Sequence, residues 1–328
     1  LKFVGVLFLL VLIGAGALGY AVYAPFGPTS ETFVEIAPGT SATRIAAQLA
    51  GTGIVRSQYA FDLLRAERAG TLKAGEYRFD HPAPLAEVYA RLLKGDVYTV
   101  AVTIPEGFNI FEIAGAVEAA GLGSKADFLT AERQQTGLIS EYDPRAKSLE
   151  GYLFPDTYHF SRHATPAQML AAMVRRFRAQ AATLGLAAKV ATKTVILASL
   201  VEKEVSQPSE RPLVAGVFVN RLAQGIPLAT DPTVIYAALL DNRYRGAIYA
   251  SDLLSGSPYN TYKHLGLPPG PICNPGVAAL KAAISPAKTN YLYFVADANG
   301  HSRFSATLKE HTAAVLAYRK AEQAGGGR

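Results

Sequence analysis

A single cysteine, Cys273, is all the thiol chemistry that the 328-residue chain carries. That excludes an internal disulfide, and without a second thiol Cys273 makes a poor nucleus for a zinc or iron–sulfur site. Charge is also scarce: Asp, Glu, Lys and Arg make up 18% of the residues, well under the usual quarter, which argues against wholesale disorder and against a coiled-coil rod. The motifs that are missing narrow the chemistry further. There is no Gly-x-Ser-x-Gly elbow, no His-Glu-x-x-His pair, no Walker A loop and no Gly-x-Gly-x-x-Gly after a strand, and the six histidines lack ligand spacing. Serine-elbow, zinc and nucleotide chemistry have no support, and neither a metal nor a cofactor is expected. Ser285-Pro286-Ala287-Lys288 has the Ser-x-x-Lys spacing of a serine acyl-enzyme, but its Ser-x-Asn and Lys-Thr-Gly partners are absent downstream.

What is present begins with a long apolar run. From Phe3 to Ala24 no residue is charged, and these roughly 22 positions form a helix of about 33 Å, enough to cross a hydrocarbon core. Val22-Tyr23-Ala24 before Pro25 resembles a signal-peptidase site, yet the run is longer than the h-region of a typical signal peptide, so an uncleaved single-pass anchor is expected. Lys2 precedes it and no Lys or Arg follows until Arg44, which by the positive-inside rule leaves the N-terminus in the cytoplasm and the rest outside the inner membrane. A net charge of +6 and a pI near 9.2 suit an anionic partner. The cations are spread thinly, however, and only Arg175-Arg176-Phe177-Arg178 clusters, which reads as a solvated helix face. The location counts against nucleic acid as a partner and favours a cell-envelope polymer.

The pattern predicts an α+β protein: an anchor over residues 1–24, a linker over 25–32, an α+β positioning region over 33–160, a catalytic domain over 161–322 built round a buried helix, and a flexible tail over 323–328. The positioning region repeats itself. Val34, Ile36, Gly39, Ile45, Ala46 and Gly53 match Val102, Ile104, Gly107, Ile113, Ala114 and Gly121 at a constant offset of 68 residues, each set a strand, a turn glycine and a helix. Leu72–Phe79 reads as a strand and Pro84–Lys94 as an amphipathic helix. This half carries no evident catalytic cluster. Farther on, a helix is expected over Pro166–Ala182, a buried one over Thr194–Val205 and a strand over Asn290–Ala296.

Within Val201-Glu202-Lys203-Glu204 the two acids lie about 200° apart on a helix, so they cannot share one site. Glu202 projects beside Val195, Ala198 and Ser199, a face of small residues with room for a ligand, whereas Glu204 projects beside Leu197 and Leu200. A carboxyl against an apolar wall is pushed toward the protonated form that a general acid needs, which makes Glu202 the sharper candidate. A structural helix-end carboxylate is the plainer alternative. Asn220, Thr230, Asp231, Thr233, Tyr259, Asn260 and Tyr262 form polar and aromatic clusters beside proline- and glycine-rich loops, and such a lining, with Ser199, suits sugar rings.

At these residues the chain resembles the YceG-like family of membrane-anchored endolytic murein transglycosylases. The likeness runs through Leu72–Phe79, Ile104-Pro105-Glu106-Gly107, Gly151–Tyr158, Ala198–Glu204, Val217–Leu222, Thr230–Tyr236, Tyr259–Tyr262, Gly266–Pro271 and Tyr291–Asp297. It implies a LysM-like N-terminal module, peptidoglycan glycan strands as substrate, peptidoglycan synthases as candidate partners, and Glu202 as the catalytic acid of a lyase that leaves 1,6-anhydro ends. Two other readings stay open: a non-catalytic LysM-like scaffold, and a muramidase in which Asp231 supplies a second carboxylate.

Overall fold

The computed structural model describes residues 2–205, 207–297 and 301–325, and the chain divides between Val100 and Ala101 into two compact units. The first unit opens with α1 (Lys2–Tyr23), of which Phe3–Tyr23 is long and apolar enough to cross a membrane. Then come β1 (Thr32–Ile36), α2 (Ala42–Gly51), α3 (Gln58–Glu67), β2 (Gly75–Phe79) and α4 (Leu85–Lys94). β1 and β2 pair antiparallel, with Val34 opposite Tyr77 and Ile36 opposite Gly75. Alternation sends Val34, Ile36, Tyr77 and Phe79 into a core shared with Ile45 and Leu49 of α2, Phe61 and Leu64 of α3, and Leu85, Val88 and Leu92 of α4. The helix starts are capped: the Ser41 and Ser57 hydroxyls accept from Arg44 N and Ala60 N. The segment expected to be a linker is pinned, because Phe26 and Ala83 exchange backbone hydrogen bonds of 3.1 Å.

The second unit starts one residue into β3 (Val100–Thr103) and continues with α5 (Ile110–Ala119), α6 (Lys125–Gln134) and β4 (Thr157–Phe160), with β3 paired to β4. Both copies of the repeat fold alike. Gly39 and Gly107 turn the chain from strand to helix at φ +78° and +80°, and Gly53 and Gly121 end the helices at φ +72° in each case, a region that L side chains rarely adopt. The copies nonetheless fall in different units, whereas a boundary near residue 160 was expected from composition. α6 packs on the next helix, α7 (Pro166–Thr183), which ties the second copy to the downstream helices rather than to the first copy.

Next come α8 (Ala188–Glu204), α9 (Arg211–Ala223), α10 (Asp231–Leu240), α11 (Ala250–Leu253) and α12 (Val277–Ile284), then the hairpin β5 (Tyr293–Ala296) and β6 (Ser302–Ser305), and α13 (Leu308–Gly325). α8 is the centre: residues 195–201 are buried without a break, and α12, α9 and α10 pack round it. That accounts for its apolar sequence on all sides. α13 continues through 323–325, into the stretch expected to fray, and residues 326–328 lie outside those described.

Candidate active site

Glu202 sits in the last turn of α8 with its side chain 5% exposed. Its Oε1 takes a hydrogen bond of 2.7 Å from Arg211 Nη2, at the start of α9, and its Oε2 takes one of 2.9 Å from the Gly276 N–H, just before α12. Arg211, 7% exposed, turns its other terminal nitrogen, Nη1, to Glu106 Oε2 at 3.7 Å; Glu106 is 48% exposed. Two carboxylates therefore share one guanidinium. Burial holds the Glu202 carboxyl above the usual carboxylate range; the Gly276 N–H, Arg211 and Lys203 oppose the rise, and the Glu106 charge adds to it. The backbone comes close on both sides. A Cβ at Gly276 would lie 1.8 Å from Glu106 Oε1, and one at Gly107 would lie 3.5 Å from Glu202 Cγ.

The turn between β3 and α5 thus brings an acid into the site from the half of the sequence in which no catalytic cluster is evident. Asn274 holds this turn in place. Fully buried, it donates from Nδ2 to Phe108 O (3.0 Å) and to Glu150 Oε1 (2.7 Å), and its Oδ1 accepts from Leu153 N (2.8 Å). Its backbone bonds with Gly107 N and Phe108 O at 2.9 Å each. Glu150 in turn accepts from Ile110 N at 2.9 Å, completing the N-terminus of α5 beside the capping box of Asn109 and Glu112.

Burial raises Glu150 to about 8, against the hydrogen bonds from Ile110 and Tyr236. In the unfolded chain this group ionises near 4.5. Its contribution to stability is therefore complete below pH 4.5 and is lost as pH rises toward 8, a fall on the order of 5 kcal/mol. Glu150→Gln is expected to flatten that stretch of the stability curve in urea unfolding run from pH 5 to 8.5. The absolute level drops with the Ile110 bond, but the slope carries the prediction.

The second acid of the α8 motif has a separate task. Glu204 is largely buried, accepts the Thr230 hydroxyl through Oε1 and has its carboxyl raised by burial. Thr230 N donates to Thr261 Oγ1 at 3.1 Å, and the Thr233 hydroxyl meets Thr230 O (2.7 Å) and Thr261 Oγ1 (2.9 Å). Most of the polar residues expected to line a sugar site hold loops instead. Ser199, at 0% exposure, donates to Ile196 O and accepts from Ile272 N. Asn220 uses both amide hydrogens on Thr289 O and Tyr291 O, each at 2.9 Å. Asn260, also at 0%, binds Leu253 O and Ser255 O. Asp231 and Tyr262 remain at the surface, joined by a hydrogen bond of 2.7 Å from the Tyr262 hydroxyl. Asp231 adds its charge to the rise at Glu204, so its neighbour among the two α8 acids is Glu204.

Tyr259 does face open space. A cavity of about 550 Å³ is bordered by Lys203, Ile272, Asn109, Phe111 and Tyr236. A second, of about 560 Å³, shares Phe111, Lys125 and Tyr236 with it and extends to Lys147 and Tyr259. A third, of about 310 Å³, shares Lys147 and Tyr259 with the second and ends at Pro269-Gly270-Pro271. The three form a run of rings and lysines, and Lys203, the residue after Glu202, borders the first of them. Tyr259 stays a neutral phenol there, its hydroxyl pushed up to about 12 by burial and by the Glu150 charge.

Comparison with known proteins gives this geometry a family. The profile of the YceG-like family matches residues 34–317. An endolytic murein transglycosylase of Bacillus subtilis is 34% identical over 94% of this chain and 91% of its own length. One from Streptococcus pneumoniae is 31% identical over 88% of this chain, which spans 60% of that longer protein. In three dimensions, the 2.6 Å crystal structure of a YceG-like protein from Listeria monocytogenes aligns with a TM-score of 0.57 at 30% identity, covering 87% of this chain and 99% of that one. With the match running from β1 into α13, and with relatives above 30% identity along most of its length, the chain belongs to the YceG-like family.

Proposed function

We propose that the protein is a membrane-anchored peptidoglycan lytic transglycosylase, a lyase that cuts nascent glycan strands internally at the β-1,4 bond between N-acetylmuramic acid and N-acetylglucosamine. The observation that carries the reading is Glu202 itself, a buried carboxyl with a raised proton affinity, held between the Arg211 guanidinium and the Gly276 N–H. Protonated, it gives its proton to the glycosidic oxygen as the C1–O bond breaks. The carboxylate left behind is stabilised by the Arg211 guanidinium and the Gly276 N–H. It then takes the proton of the muramic acid 6-hydroxyl as that oxygen attacks C1, giving a 1,6-anhydro end without water. α1 serves as the anchor, with the N-terminus in the cytoplasm and the chain that follows α1 on the outer side. The β1-α2-α3-β2 order of the first unit supports a LysM-like glycan-binding role.

The test uses the full chain in detergent with uncrosslinked glycan strands, and reads the product ends by mass. Anhydro ends, lighter than reducing ends by one water, are expected, and they should vanish in Glu202→Gln. A muramidase reading has one observation in its favour, the second carboxylate on Arg211. Reducing ends that vanish in both Glu202→Gln and Glu106→Gln would replace the transglycosylase with that hydrolase, while glycan binding without cleavage would leave a scaffold.

Under the proposed reaction Glu106 is a positioning group. Glu106→Gln removes a negative neighbour that raises Glu202 and leaves Arg211 to Glu202 alone, so the proton affinity of Glu202 falls. Since the protonated form is the active one, the limb of kcat/KM that declines with rising pH is expected to move to lower pH. At a fixed pH above that limb, activity drops about tenfold for each unit moved.

A further inference from the structure

The end of α1 is built into the first unit. Val22 is 6% exposed and belongs to the core that contains Ile54, Phe61 and Ala83. Two residues earlier, the Tyr20 ring lies under the Arg56 guanidinium at 4.7 Å. The same guanidinium sits 4.7 Å from the Phe26 ring and donates to Pro25 O at 3.3 Å. At 1.5 Å per residue Tyr20 lies about 27 Å along α1 from Lys2, and Tyr23 about 32 Å, so the pair straddles the far edge of a hydrocarbon layer about 30 Å thick. Arg56 immediately precedes Ser57, the cap of α3. α3 therefore enters the fold at the depth of the last turn of α1.

α3 buries Ala60, Phe61 and Leu64 and turns an apolar stripe outward, with Tyr59 72% and Leu63 55% exposed one turn apart. Tyr20 and Tyr23 are likewise 60% and 62% exposed. We propose that these four side chains form one lipid-contacting surface, so that the first unit rests in the headgroup layer of the bilayer that α1 crosses. The inference builds on the reading of α1 as a membrane span. Tyrosine suits that depth, with its ring against acyl chains and its hydroxyl in the headgroups, and Arg56 stands among the rings within reach of phosphate. On α3 itself Arg65 is balanced by Asp62 and Glu67. The contact is thus insertion of apolar side chains rather than adhesion to anionic lipid, and it holds on zwitterionic membranes.

The chain contains no tryptophan, so one introduced indole reports alone. Full-length Tyr59→Trp and Phe8→Trp are each reconstituted in phosphatidylcholine vesicles, with and without bromine near the top of the acyl chain, and the emission is recorded. Both indoles are expected to emit to the blue of an indole in water and to be quenched by the brominated lipid, with no further change when phosphatidylglycerol is added. Quenching of Phe8→Trp without quenching of Tyr59→Trp overturns the surface and leaves the anchor standing. A blue-shifted but unquenched Tyr59→Trp overturns it in favour of cover by protein, and loss of quenching at both positions removes the span and the surface together. Because Tyr59 is 72% exposed, its replacement leaves the core untouched.

Discussion

Glu202→Gln is expected to lower strand cleavage by about 10² to 10⁴, the usual range for a general acid, with glycan binding retained. Gln keeps the shape and can still accept the Arg211 bond at its oxygen, but it has no proton to give the leaving oxygen and cannot receive one from the 6-hydroxyl. The loss therefore falls on kcat, and KM changes little. Glu204→Gln is the matched control: two residues along the same helix, its side chain holds Thr230, and an amide oxygen there still accepts that hydroxyl. Less than about a tenfold loss is expected from it. If both variants lost activity equally, the damage would come from the end of α8 as a whole, and the assignment of the acid would fail. The pH profile gives a second check. Burial holds Glu202 above the usual carboxylate range, so wild-type kcat/KM should stay high past the pH at which an exposed glutamate has ionised, then decline as Glu202 loses its proton.

Much of this arrangement can be read from local pattern. Period-two alternation at Val34 and Ile36 and the helical stripe of Leu85, Val88 and Leu92 mark their elements because each residue answers to the core beside it. The two acids of the α8 motif separate by helix geometry alone. The partners of Glu202 do not separate out in this way. Arg211 lies in Glu210-Arg211-Pro212, which reads as an ordinary helix start, and its importance comes from α9 packing on α8. Glu106 sits in a motif visible in the sequence, Ile-Pro-Glu-Gly, yet 96 residues from Glu202. Only the Gly107 turn and its hold on Asn274 bring it near. The polar clusters mislead for a related reason. Asn, Ser and Thr bond backbone and ligand with the same atoms, and spacing cannot say which. At Ser199, Asn220, Thr233 and Asn260 the backbone or a neighbouring threonine takes them.

Asn274→Ala is expected to destabilise the second unit by about 3–5 kcal/mol, because truncation strands buried groups that cannot turn to water. Leu153 N loses its acceptor and Glu150 Oε1 loses a donor, both at positions with no solvent access. Phe108 O keeps a bond from Asn274 N, so the backbone retains part of the turn. Position adds a second effect. Two residues on, Gly276 donates to Glu202, and on the far side of the same hub the Gly107 carbonyl accepts from Lys203 and Glu106 reaches Arg211. Loosening the hub therefore lets the carboxyl, its guanidinium and the second acid drift by fractions of an ångström, which is costly where proton transfer depends on alignment. Urea unfolding with kinetics on the folded fraction separates the two effects. A lower midpoint together with a fall in kcat is expected, whereas a lower midpoint with kcat unchanged would confine Asn274 to stability and free the catalytic geometry from it. Asn274→Asp sharpens the comparison. It keeps the acceptor for Leu153 but sets a second carboxyl against Glu150, so its defect should deepen with rising pH more steeply than that of Asn274→Ala, which only takes a donor from Glu150.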